Sequence, residues 1–195
     1  MRLPVHNNGV NDAPHLGYLK KIITDYGELA TVVRARRTLD ETIVFTMGSW
    51  DMLHVGHVRY LTRAAGRGDV LVVGVDSDKA IKIYKGPDRP IIEEAKRIEM
   101  VSFLACVDYV TPILDIDLDS TETAPGKFEY NWNPTRLLRA LQPDFFVAVE
   151  GSYPDEQIKA LQKWCGEVVV LPRQASDIST TEILQKLGHE GGGIK

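Results

Sequence analysis

The chain alternates short, nearly unbroken apolar runs with segments whose apolar residues recur every three or four positions. The runs fall at about 42–47, 69–75, 107–111, 145–149 and 167–171, and VLVVGV within the second has no polar residue at all. A strand with one wet face alternates, whereas a strand covered on both faces does not, so these runs predict parallel strands buried between helices. Helical spacing falls between them at about 55–66, 77–83, 93–104, 134–141 and 154–165, with a last helix starting near Ser179. In EEAKRIEMVSFL the residues Ile98, Val101 and Leu104 share one face and Glu93 and Glu94 occupy the first turn, as a helix dipole prefers. Pro134 stands where a proline is tolerated, at a helix entry. Upstream, Leu16, Leu19, Ile22, Ile23, Tyr26, Leu29, Ala30 and Val33 predict one or two packing helices, with Asp25 and Gly27 as a break between them.

Strands alternating with helices predict an α/β fold, a Rossmann-like three-layer α/β/α arrangement around a five-stranded parallel sheet. Ligands of such sheets bind beyond the C-terminal strand ends, near the switch in strand order. Met47, Gly48 and Ser49 end the first strand, Asp76 the second, Glu150 and Gly151 the fourth; the chain after the fifth reaches Arg173 and Ser179. The expected organisation is an N-terminal helical extension (1–40), one α/β domain (41–188) and a flexible tail (189–195) whose GHEGGGIK context has lost periodicity.

Composition changes this picture little. The 195 residues are 44% hydrophobic, enough for one domain with a substantial core. A formal net charge of −4 supplies no basic field for nucleic acid. Cys106 and Cys165 form no CxxC pair, which suits buried thiols in a reducing compartment. No apolar leader and no membrane-length run is visible, so the expected location is the cytoplasm, with no membrane partner.

The candidate chemistry concentrates in IVFTMGSWDMLHVGHVRYL, residues 43–61. An apolar strand turns through a glycine and delivers His54 and His57 to the start of a helix. Unpaired N–H groups there attract anions, and an imidazole on either side of Gly56 can add donors to phosphate oxygens. Two other readings compete: with Asp51 the histidines supply three ligands to zinc, or each is an ordinary cap or packed side chain. No closed Cys/His set accompanies them.

GSWDMLHVGHVRYL resembles the Gly-x-(Phe/Trp)-Asp-x-x-His-x-Gly-His signature of the cytidylyltransferase-like nucleotidyltransferases. The likeness continues through GRGDVLVVGVDSD, IKIYKGPDRPI, VDYV, LQPDFFV and ISTTEIL, starting near Lys21. Within the superfamily, VDSDKAIKIYKGPDRP is similar to the VNSD-x-x-VKRLKG-x-x-RP stretch of the adenylyltransferases of ADP-heptose synthesis, and glycerol-3-phosphate cytidylyltransferase stands second. The resemblance implies transfer of AMP from ATP, or CMP from CTP, to a small phosphorylated sugar or polyol with release of pyrophosphate. It also implies Mg²⁺ with the nucleotide and a homodimer. A non-catalytic nucleotide-binding regulatory protein is the alternative of another class.

By the same resemblance, His54, His57, Lys82 and Lys85 are the expected catalytic residues. The nucleotide and phosphate set comprises Met47, Gly48, Ser49, Trp50, Asp51, Gly56, Asp76, Arg89, Glu150, Gly151, Arg173, Ser179, Thr180 and Thr181. Trp50 stands for the more usual Phe and is expected beneath the site. In KGPDRP, Gly86 and Pro87 fix a sharp loop that carries Arg89 back toward the site. Asp51 is expected to help hold Mg²⁺, to orient a histidine or lysine, or simply to cap the turn. Arg97 has an ordinary i, i+4 partner in Glu93. Ser179 and Glu182 form a capping box that can double as a phosphate site.

Two departures bear on the acceptor. The heptose enzymes read like VKGGDY where this chain has VAVEGSY, and they have a short acidic turn in place of the segment 115–133. That segment begins like a calcium loop but lacks its Gly and Glu, so it reads as a solvated acidic loop in which Tyr130 and Trp132 close over a ligand or anchor to the core. The spacer QASDI sets Arg173 one residue further from the STT motif than the cytidylyltransferases place their arginine.

Overall fold

A strand of unbroken apolar residues has no face to give to water, and strand β2 (Val70–Asp76) is buried at every position. It pairs in parallel with β1 (Ile43–Gly48) from Ile43 opposite Val70 to Gly48 opposite Val75, and with β3 (Tyr109–Ile113) from Val72 opposite Tyr109 to Asp76 opposite Ile113. With β4 (Phe145–Val149) and β5 (Glu167–Leu171) the sheet order is β3-β2-β1-β4-β5. The order reverses between β1 and β4, which opens the crevice at their C-terminal ends. The computed structural model describes residues 16–114, 134–175 and 180–190.

Helices cover both faces. On one, Phe45, Met47, Val72, Ile113 and Phe146 pack against Leu29 and Val33 of α1 (Tyr26–Arg37) and Leu137, Leu138 and Leu141 of α5 (Thr135–Leu141). On the other, Val44, Leu71, Val73 and Val147 meet Tyr60, Leu61 and Ala64 of α2 (Val55–Ala65) and Ile98 and Val101 of α4 (Glu94–Ser102). The remaining helices are α3 (Asp78–Lys85), α6 (Asp155–Leu161) and α7 (Thr180–Glu190).

The upstream segment divides into a 3₁₀ helix (Leu16–Lys21) and α1. Asp25 makes the break, accepting the Glu28 N–H at 2.8 Å as the α1 cap, while Gly27 lies inside the first turn. Between the helices Ile22 bridges to Val110 and the Ile23 N–H donates to the Val110 carbonyl at 2.9 Å, covering the β3 edge. The helix expected to reach 165 stops at Leu161, because the Gly166 N–H must bond the Pro143 carbonyl at 3.0 Å to feed β5 into register. Among the described residues no helix is long and apolar enough to cross a membrane. The acidic segment 115–133, with Tyr130 and Trp132, lies outside the described residues, as do Ser179 and 191–195.

Candidate active site

The loop from β1 to α2 is bent hard. Trp50 and Met52 both take left-handed backbone angles, φ 50° and 49°, which side-chain-bearing residues adopt at a cost. The Trp50 ring holds the bend: it is 4% exposed, donates Nε1–H to the Gly74 carbonyl at 2.8 Å, stacks on Tyr60 and meets His57 edge-on at 5.6 Å. It packs beneath the histidines, as the sequence led us to expect.

The two histidines cap their own helix. His54 Nδ1 accepts the Gly56 N–H at 3.1 Å, and His57 Nδ1 accepts the His54 N–H at 3.4 Å. The rings stack with centroids 3.9 Å apart. A nitrogen that accepts from an amide carries no proton, so in each neutral ring the proton sits on Nε2. Burial lowers the pKa of His54, with Glu182 opposing, and lowers His57 from 6.5 to about 3, helped by His54 and Lys85. Both are therefore neutral near pH 7, and each offers one N–H. Gly56 lets the His54 ring sit where it does: a Cβ there would lie 2.9 Å from His54 Cε1 and 3.2 Å from Ala175 Cβ.

Asp51 anchors the neighbouring loop. Fully buried, it accepts Arg89 Nε and Nη2 at 2.9 and 2.6 Å and the amides of Ile91 and Ile92 at 3.0 Å each. Burial alone would raise its carboxyl, but those amides and the guanidinium outweigh it and hold the pKa below the ordinary value. Two of the expected options for Asp51 are corrected here: both oxygens are taken, so it offers no open position to Mg²⁺ and orients neither a histidine nor a lysine. KGPDRP does fold back toward the site, with Arg89 spent on Asp51. Thr180 Oγ1, at the start of α7, donates to the Asp51 carbonyl at 3.1 Å, docking that helix N-terminus on the same loop.

Arg97 requires a second correction. It does not pair with Glu93, whose side-chain partner is Lys96 at 3.3 Å. Arg97 is fully buried and donates to the carbonyls of Ser49, Asp76 at 2.8 Å and Ile92 at 2.8 Å and to the Asp78 carboxylate at 2.7 Å. One guanidinium thus ties together the ends of β1 and β2, the start of α3 and the Arg89 loop.

At the strand ends, Lys85 Nζ donates to Ser49 Oγ at 2.7 Å, and the Tyr84 hydroxyl donates to Asp76 Oδ2 at 2.6 Å. Ser49 also hydrogen-bonds Tyr84. Burial and then the Arg89 charge lower the Lys85 pKa, against Asp76 and Asp51; burial raises the Asp76 carboxyl, against Tyr84, Lys85 and Arg97. Tyr153, just past β4, donates to the Met47 carbonyl at 3.2 Å.

Of the expected residues, the structure gathers Met47, Gly48, Ser49, Trp50, Asp51, His54, Gly56, His57, Asp76, Lys85, Arg89 and Thr180 around the ends of β1 and β2. The Lys82 side chain is exposed and has no ion pair or hydrogen bond among the described residues. Glu150, Gly151 and Arg173 are solvent-exposed beyond β4 and β5, and the Thr181 side chain lies outside what the structure describes. Tyr84 and Tyr153 were not singled out from sequence; an aromatic hydroxyl beside a lysine carries no local signal of what it meets. Among the described residues no group of three His, Cys, Asp or Glu side chains could hold a metal, so the zinc reading has no support.

A Rossmann-like sheet, a helix N-terminus lined by two neutral histidines and a lysine at the strand ends define a nucleotidyltransferase type of α/β protein. The chain belongs to the cytidylyltransferase-like family, whose model matches residues 45–186. It is 41% identical over 162 residues to the bifunctional protein HldE of Hydrogenovibrio crunogenus, covering 82% of this chain and 30% of that protein. The HldE of Geotalea uraniireducens is 38% identical over 175 residues, covering 89% and 32%. The chain therefore spans about a third of the length of these relatives. Among solved structures, the lipopolysaccharide core biosynthesis protein of Thermoplasma volcanium shares the fold at TM-score 0.52 and 22% identity, over 69% of this chain and 99% of that one. Pantoate-beta-alanine ligase of Francisella tularensis does so at TM-score 0.57 and 18% identity, over 86% and 77%.

Proposed function

We propose that this chain is an adenylyltransferase that moves AMP from ATP onto the phosphate of a small phosphorylated sugar. An acceptor phosphate oxygen forms a bond to the α-phosphorus, the bond from that phosphorus to the bridging oxygen breaks, and pyrophosphate leaves with the electron pair. The acceptor phosphate is already nucleophilic at neutral pH, so positioning and charge stabilisation carry the catalysis. The observation that carries this reading is the reciprocal capping of His54 and His57, which leaves two Nε2–H donors and the α2 N-terminus for phosphate oxygens. Lys85 adds a positive charge from the side of Ser49.

ATP ranks ahead of CTP on the HldE relatives and on the VDSD and KGPDRP stretches. CMP transfer to glycerol 3-phosphate or a similar alcohol phosphate is the second reading, since VAVEGSY departs from the heptose enzymes where the acceptor or base pocket is expected. Mg²⁺ enters as part of the nucleotide substrate, held by phosphate oxygens and water, since Asp51 is saturated. Residues 41–188 act as the catalytic domain in the cytoplasm, as a homodimer.

The test is pyrophosphate release with Mg²⁺, crossing ATP, CTP, GTP and UTP against sugar phosphates, glycerol 3-phosphate and phosphorylated amino alcohols. His57→Ala is expected to lower kcat/KM on the productive pair by roughly 100-fold or more, with nucleotide binding retained. Turnover unchanged in that variant overturns the mechanism. Tight nucleotide binding without release for any acceptor favours a regulatory nucleotide-binding protein.

A further inference from the structure

The end of β2 leaves a polar atom unaccounted for. Asp76 is 3% exposed; its Oδ2 accepts from Tyr84, while its Oδ1 has no hydrogen-bond partner among the described residues. A second buried orphan, Thr111 Oγ1, lies on the adjacent strand, where Thr111 is opposite Gly74 and Ile113 opposite Asp76. Strand alternation places both on the sheet face that carries Met47 and Ile113. Native proteins rarely leave such atoms unpaired, because their lost hydration is not repaid. Neither atom has a role in the phosphate chemistry above.

We propose that Asp76 Oδ1 is a specificity-determining contact that hydrogen-bonds a hydroxyl on the carbon skeleton of the phosphorylated acceptor, with Tyr84 fixing the carboxyl. The inference rests on the nucleotidyl-transfer reading. The sheet divides the site: Trp50, Tyr60 and the histidine helix lie toward one face, and Asp76 and Met47 toward the other. Lys85 donates to Ser49, which also hydrogen-bonds Tyr84, the partner of Asp76. In an in-line displacement the attacking and departing oxygens sit on opposite sides of phosphorus. If the histidines take the triphosphate, the Asp76 side receives the acceptor. Lys85 suits the acceptor's phosphate, and a carboxyl beyond it would repel phosphate but suits a hydroxyl, which can donate or accept. Lys85 and Arg97 already compensate the carboxyl's charge, so an ammonium group is disfavoured there. The local sequence agrees: VDSD and IKIYKG put Asp76 and Tyr84 where the heptose-type stretch reads Asn and Leu.

The experiment compares wild type, Asp76→Leu, Asp76→Asn and Tyr84→Phe on the productive acceptor and on analogues in which each hydroxyl is replaced by hydrogen. For one analogue, wild type is expected to lose roughly 100-fold in kcat/KM, because a site built to bond a hydroxyl rejects its absence. Asp76→Leu is expected to lose about as much on the intact acceptor and nothing further on that analogue, with the nucleotide KM unchanged. Asp76→Asn restores most of the activity. Independent, multiplying losses for every analogue, or a raised nucleotide KM alone, overturns the inference and leaves nucleotidyl transfer standing. A preference for amino alcohol phosphates that depends on Asp76 also overturns it. If Asp76→Leu does not fold, Tyr84→Phe decides: it keeps the carboxyl and is expected to relax discrimination against the same analogue by roughly tenfold, and unchanged discrimination counts against the inference. Absence of release by wild type with every pair overturns the transfer reading itself, a result distinct from the multiplying losses.

Discussion

Gly56→Ala separates stability from activity at a single hydrogen atom. In an α-helix alanine is favoured over glycine by roughly 1 kcal/mol, so the first turn of α2 gains from the change. The new methyl, however, would lie 2.9 Å from His54 Cε1 and 3.0 Å from Nδ1, about half an ångström inside ordinary contact. The imidazole must retreat, and the Gly56 N–H that bonds its Nδ1 at 3.1 Å then loses its acceptor. The methyl would also lie 3.2 Å from Ala175 Cβ. Losing that bond costs roughly 1 kcal/mol, which offsets the propensity gain and leaves global stability within about 1 kcal/mol of wild type. The Nε2–H donor that we propose for a phosphate oxygen is displaced at the same time. Misplacements on the order of 1 Å cost up to about 100-fold, so kcat/KM for pyrophosphate release is expected to fall by roughly 10- to 100-fold, about 1.4 to 2.7 kcal/mol. Urea denaturation paired with steady-state kinetics checks both halves. A variant with kcat/KM within twofold of wild type would refute the claim that His54 must stay where Gly56 lets it sit.

Asp51→Asn strands the Arg89 guanidinium, of which 13% is exposed, beside a neutral amide, and is expected to destabilise the fold by about 3 kcal/mol in urea denaturation; a change under about 1 kcal/mol would mean that the pair is not the anchor described. Arg97→Lys keeps the charge but cannot span four acceptors; we expect a loss of about 3 kcal/mol or more, and a variant as stable as wild type contradicts the brace. For His57 the folded pKa, about 3, lies below the ordinary 6.5, so the unfolded chain binds more protons and stability falls as pH drops from about 6.5 toward about 3. His57→Gln should show a shallower pH slope of stability over that window; equal slopes would exclude His57 as the source.

The strands were legible because burial on both faces leaves unbroken apolar runs, and all five lie within two residues of where the runs put them. The histidine turn was legible because His54, Gly56 and His57 are local to one helix start. Arg97 was not: an arginine after EEAK looks the same whether it pairs with Glu93 or reaches Ser49 and Asp76, and the partners that decide are 48 and 21 residues away. Lys82 and Lys85, one turn apart, also read alike. Only the end of α3 at Gly86, φ 97°, and the register of the β1 loop send one to Ser49 and leave the other in water. The saturation of Asp51 was hidden for a similar reason, since its main partners are backbone amides, which any sequence supplies.

Imidazole nitrogens are of the kind that copper, nickel or zinc take as ligands, and two such rings lie here with centroids 3.9 Å apart. The backbone forbids such ligation. With each Nδ1 committed to an amide, the only remaining nitrogen bears a proton and has no lone pair to give. A cation could bind only by flipping the tautomer and breaking a helix cap. The hydrogen bonds that start α2 thus also decide what the two rings can offer, which is N–H donors in place of metal-binding lone pairs.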